Sequence, residues 1–197
     1  MSLAMGVSCA IFIAGDEFGH PQKMGVMNIV WPVTALFGSF VWLWAYWRYG
    51  RPRADAPAPK AVQIGKATSH CGAGCTLGDI AAECLVLLVP ALPLWFGWKS
   101  LFTQRIFAVW TVDFVCAYII GIVFQYFAIV PMRKLDFPRG IWESIKADTL
   151  SLIAWQLGMY AFMAFAQFYL FRFLLGTELK AAMPEFWFMM QIAMLAG

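Results

Sequence analysis

The chain has 197 residues, 62% of them hydrophobic and 13% charged, with a net charge of +3. Soluble domains run at roughly 45–50% apolar and about 25% charged. A mean hydropathy of +0.71 is more than a water-facing globule of this size can hide, and it also excludes intrinsic disorder. Nucleic-acid binding is excluded as well, because the few basic residues form no recognition motif. A multi-pass protein of the lipid bilayer remains.

Four stretches carry the run of about 20 apolar residues that a membrane span requires: Gly25–Trp47, Thr76–Gly97, Arg105–Val130 and Thr149–Leu175. Trp and Tyr gather at their ends, as at membrane interfaces. Trp31-Pro32 predicts a kink in the first. Two shorter stretches, Ser2–Gly15 and Glu185–Gly197, read as partial helices. Ser2–Gly15 lacks the basic start and small-residue cleavage site of a signal peptide. The expected fold is an all-α polytopic bundle of six helices in a single transmembrane domain over 1–197, the outer parts of both end helices being absent from the chain. Residues 48–75 read as a linker and motif loop, with a Pro/Ala-rich stretch at Arg51–Lys60, and 131–147 as a second loop. Leu135–Ala147 has the pattern of a short amphipathic helix lying on the membrane surface.

Lys and Arg set the orientation. Nine lie in the loops at 48–75 and 131–147: Arg48, Arg51, Arg53, Lys60, Lys66, Arg133, Lys134, Arg139 and Lys146. Five fall on the other side: Lys23, Lys99, Arg105, Arg172 and Lys180. The first face is therefore expected in the cytoplasm of a bacterial inner membrane, and His70–Cys75 with it.

One stretch concentrates chemistry: Ser69-His70-Cys71-Gly72-Ala73-Gly74-Cys75-Thr76-Leu77-Gly78-Asp79. With the second span starting at Thr76, both thiols fall at a helix N-terminus, where the dipole favours thiolate. Cys75, Asp79 and Glu83 are spaced i, i+4, i+8 and share one helix face. Carboxylates inside spans are costly and face cavities, partners or pathways. Glu83 and Asp113 each lie about 12 Å from opposite ends of their spans, which sets them near one level. Cys116 is one turn from Asp113. Asp148, Gln156 and Gln167 add polar groups, and Asp148 starts on the side of Cys71 and Cys75. Cys84 reads as packing.

His70, Cys71 and Cys75 form a candidate site for a soft metal ion such as copper, and the spacing differs from the common C-x2-C of structural zinc. A glycine-rich turn with idle thiols is the bland alternative, and an interhelical hydrogen-bond network is the alternative for Asp79, Glu83, Asp113 and Asp148. Two further functions stand beside metal handling. One is an accessory or assembly subunit of a larger membrane complex, suggested by 17% aromatic residues. The other is a dithiol redox role for Cys71 and Cys75. A heme held by both histidines is not expected, because a full span separates His20 from His70. Met183, Met189, Met190 and Met194 read as packing. No hydrolase, nucleotide-binding or metalloprotease motif is present.

Several stretches together carry a resemblance: HPQKMGVMNIVWPVTALFG (20–38), KATSHCGAGCTLGDIAAE (66–83), FQYFAIVPM (124–132), IKADTLSL (145–152) and FWFMMQIAM (186–194). The chain resembles a family of small bacterial multi-pass membrane proteins catalogued as domain of unknown function 4396. The resemblance implies six helices with a longer last helix and a basic tail. It carries an association with heavy-metal handling and no defined activity.

Overall fold

The computed structural model describes residues 1–22, 24–51 and 60–197, and among these every regular element is a helix. The helices are α1 (Ser2–Gly19), α2 (Met27–Gly50), α3 (Lys60–Leu88), the single turn α4 (Leu92–Trp95), α5 (Arg105–Arg133), α6 (Phe137–Leu174) and α7 (Pro184–Ala196). Five of them, α1, α2, α3, α5 and α6, are long and apolar enough to cross a membrane. The protein is a polytopic helix bundle with one short helix, α7, added at its end.

The segment expected as a straight first span folds differently. The backbone of α2 breaks at Ser39 (φ 46°, ψ −127°), and the chain turns back. In a continuous helix Trp31 and Gly50 would lie about 28 Å apart. Here a Cβ placed on Gly50 would come within 2.8 Å of the Trp31 ring, and the Trp31 and Tyr46 rings stack edge-on at 5.7 Å. α2 is therefore a re-entrant hairpin with arms 27–38 and 40–50. Pro32, the expected kink, sits within the first arm. Gly38 at the tip has no room for a side chain, because the Trp42 ring lies where its Cβ would be.

Both arms lie along α1. Tyr46 donates a hydrogen bond to Asp16 at 2.7 Å, and Arg51 pairs with the same carboxylate at 3.0 Å. The Arg51 guanidinium also stacks over Trp47 and reaches His20 at 3.1 Å. His20 thus lies on the same side as Arg51, so the separation by a crossing span that argued against a shared heme does not hold. Each imidazole is engaged locally, His20 by Arg51 and Asp16 and His70 by the Lys66 carbonyl at 2.9 Å. Lys23, counted on the far side, lies outside the described residues, as does the Pro/Ala stretch at 52–59.

Two boundaries shift. The motif is not in a loop: α3 begins at Lys60 and runs unbroken to Leu88, so the span is Ile64–Leu88 rather than Thr76–Gly97. Glycines 72, 74 and 78 do not break it, because interhelical contact compensates for weak propensity. The stretch 131–147 is not a loop with a surface helix either. α5 continues to Arg133, a turn through Lys134 (φ 51°) follows, and α6 starts at Phe137, after Asp136 and with Pro138 in its first turn. Glu143 in its opening turns pairs with Arg133 and Lys146.

The antiparallel pair α3/α5 forms the centre. Gly74 and Gly78 of α3 face Gly121 and Ala117 of α5. A Cβ on Gly74 would meet the Gly121 Cα at 2.9 Å, and one on Gly78 would overlap the Ala117 backbone. This is the small-xxx-small arrangement that lets membrane helices touch backbone to backbone. α6 packs against α5, tied by Tyr160 donating to the Trp110 carbonyl (2.8 Å) and by Tyr118 with Thr149 (3.0 Å).

Candidate polar site in the membrane interior

The thiols stand deep in a helix, not at its mouth. Cys71 and Cys75 are 7 and 11 residues beyond Ile64, about 10 and 16 Å into a span about 37 Å long. The expected activation by a helix N-terminus therefore does not apply, since the dipole effect fades within the first turn. Both are fully buried, free thiols, and within interacting reach of each other one turn apart.

The row continues with Asp79, 1% exposed. Gln156 of α6 faces it, yet neither carboxylate oxygen of Asp79 has a hydrogen-bond partner of good geometry. Across the α3/α5 contact Asp113 lies within electrostatic reach of both Asp79 and Glu83. Because α3 ends at Leu88, Glu83 is about 8 Å from that end and Asp113 about 12 Å from Arg105. The expected meeting of the two thus occurs, near the end of α3 that Arg105 adjoins; Arg105 is itself close enough to act on Glu83. Asp148 is fully buried beside Gly121, where a Cβ would collide with its Oδ2, and it lies within reach of Cys75. Tyr160 of α6 is in the same electrostatic neighbourhood as Cys75, Asp79 and Asp113.

His70 departs from the expected ligand trio. It precedes Cys71 by one residue, so its side chain leaves the helix about 100° away from that of Cys71. Among the described residues, no three or more His, Cys, Asp and Glu side chains come together as a metal-ligand set. What the fold does assemble is a dithiol followed by buried carboxylates along one face of α3.

The hairpin tip reaches this level. Leu36 and Phe37 line a cavity of about 170 Å³ together with Thr76, Asp79, Ile80 and residues of α1 and α7. The break at Ser39 removes the helical partner of the Leu36 carbonyl, and Gln191 of α7 supplies a replacement: its Nε2 donates to Leu36 O at 2.6 Å. Ser2 in turn donates to Gln191 Oε1 at 2.5 Å. Irregular backbone at membrane depth is tolerated where protein satisfies it or where it lines a cavity, and both conditions hold here. Neither the tip nor the role of Gln191 was read from the sequence. Gly38-Ser39 near the centre of an apolar run was the available signal.

No curated protein and no solved structure matches this chain. A family model does, over residues 62–197, which includes nearly all of α3, the dithiol, Asp79, Glu83, Asp113 and Asp148, and α7. With more than half of its length matched, the chain belongs to the family described as domain of unknown function DUF4396.

Proposed function

We propose that this protein binds and moves a soft monovalent metal ion, copper(I), through the interior of a bacterial inner membrane. The observation that carries the reading is the row Cys71–Cys75–Asp79 at mid-depth of α3, bordered by the tip of a re-entrant hairpin. Thiolates select soft ions, and two of them one helical turn apart suit a two-coordinate site. Binding the ion requires both thiols to lose their protons. Asp79 and Asp148 are carboxylates near enough to Cys75 to receive them, and Glu83 and Asp113 lie within reach of Asp79 in turn. Discontinuous membrane helices meeting at mid-depth are a recurring way to build a transport site. His70, on another face of α3, stands outside the ligand pair. The face bearing Arg51, Lys60, Arg133 and Arg139 is assigned to the cytoplasm by the positive-inside rule.

The test is metal analysis of protein purified after copper loading, compared with Cys71→Ser/Cys75→Ser. The reading expects copper in the wild type and its loss in the double variant. Equal copper in both would reject it.

A further inference from the structure

The cavity between the hairpin tip, α3 and α7 presents a donor set distinct from the dithiol. Met190 and Met194 are one turn apart on α7, and both line it. The Met194 sulfur lies 3.8 Å from the Thr76 hydroxyl, one residue beyond Cys75. Asp79 forms another part of the wall, 1% exposed, with Gln156 beside it but neither carboxylate oxygen in a hydrogen bond of good geometry. The remaining lining side chains are Leu3, Val7, Leu36, Phe37, Ile80, Trp187 and the amide of Gln191.

We infer that this cavity is a second station for a soft monovalent cation, in which the thioethers of Met190 and Met194 ligate the ion and the Asp79 carboxylate balances its charge. The inference rests on the reading that the dithiol handles such an ion. Thioethers are neutral, soft donors that favour copper(I) or silver(I) over hard ions. One carboxylate matches one positive charge, which a cavity with so apolar a lining otherwise rejects. A hard cation lacks an oxygen shell here. The Leu36 carbonyl is taken by Gln191 and the Thr76 hydroxyl is turned toward the Gly72 carbonyl at 2.7 Å. Asp79 is one turn past Cys75, so an ion leaving the dithiol has about 6 Å of helix to travel before it meets the next carboxylate. The hairpin tip forms one wall of that station, which makes the tip the element placed to open or close it.

Silver(I) is the probe, because it is soft, monovalent and not redox-active in buffer. Purified full-length protein in detergent, in chloride-free buffer, is titrated and its bound silver counted. The expected result is two ions per chain in the wild type, one in Met190→Leu/Met194→Leu, and one in Cys71→Ser/Cys75→Ser. Leu for Met conserves volume and keeps the bundle packed. Asp79→Asn, which keeps shape and removes charge, is expected to weaken the ion lost in the methionine variant by at least tenfold. A single silver in the wild type that the methionine variant retains and the cysteine variant loses would overturn the cavity station while leaving the dithiol reading intact. Silver lost only in the methionine variant would reject the dithiol and keep the cavity. No silver in any form would reject both.

Discussion

Gly65 and Gly78 lie on the same helix, and replacing each by alanine is expected to change stability in opposite directions. At Gly65 the residue is exposed and a Cβ meets nothing within 4 Å. Alanine there collects the full propensity difference, about 1 kcal/mol of stabilisation. At Gly78 the same gain is opposed by steric overlap, because the new Cβ falls on the Cα and N of Ala117. Those are backbone atoms and cannot rotate aside, so α3 and α5 must separate along a line that includes the Gly74–Gly121 contact. Overpacking of this kind costs about 1–3 kcal/mol where side chains can adjust, and a backbone collision belongs at the upper end of that range. Gly78→Ala is therefore destabilising by about 1–2 kcal/mol net, and the two variants differ by about 2–3 kcal/mol. Denaturant titration in a fixed detergent, followed by helix signal and tryptophan emission, reads both. Two variants that shift in the same direction, or that differ by less than about 0.5 kcal/mol, a typical change for neutral substitutions, would refute the backbone-to-backbone packing.

The re-entrant hairpin makes a topological prediction: cysteines introduced at His20 and at Arg51, in a background without native cysteines, react with an impermeant thiol reagent from the same face of the membrane, whereas a crossing helix would place them on opposite faces. Gln191→Leu leaves the Leu36 carbonyl at the hairpin tip without its donor, and the loss is expected to be about 1–3 kcal/mol, the cost of an unsatisfied buried polar group; unfolding midpoints of this variant equal to wild type would contradict the tip geometry. Asp16→Asn weakens the attachment of the second arm by removing the ion pair with Arg51, with a smaller effect expected, about 1 kcal/mol or less, because Arg51 is partly exposed; the shift should shrink as salt is raised.

Much of the architecture was legible because lipid imposes a simple rule on composition. Arg105–Val130 reads as a span and is one. Helix termini were harder. The glycines and small polar residues of 65–78 resemble a loop when read one at a time, and the helix is restored only by the partner surface at Ala117 and Gly121, which lies some 40 residues away in the chain. Periodicity did align Cys75, Asp79 and Glu83, since i, i+4, i+8 spacing holds in any helix frame. It could not place Gln156 against Asp79, nor supply Gln191 or the hairpin, which depend on how separate helices meet. The reversal at Ser39 was hidden because an apolar run of 24 residues satisfies the length of a span whether or not the chain turns back halfway.

A segment that enters and leaves by one face adds nothing to the count of crossings, and so it changes the parity of everything joined to it. With a crossing α2, the start of α3 and the start of α1 would share a side. With a hairpin they are on opposite sides, and the ends that carry Gly19, Arg51, Lys60, Arg133 and Phe137 gather on one. The backbone angle at Ser39 thereby decides which side of the membrane the described loops after α2 face relative to α1, and a mutation that straightened it would exchange those sides without altering one residue of the polar interior.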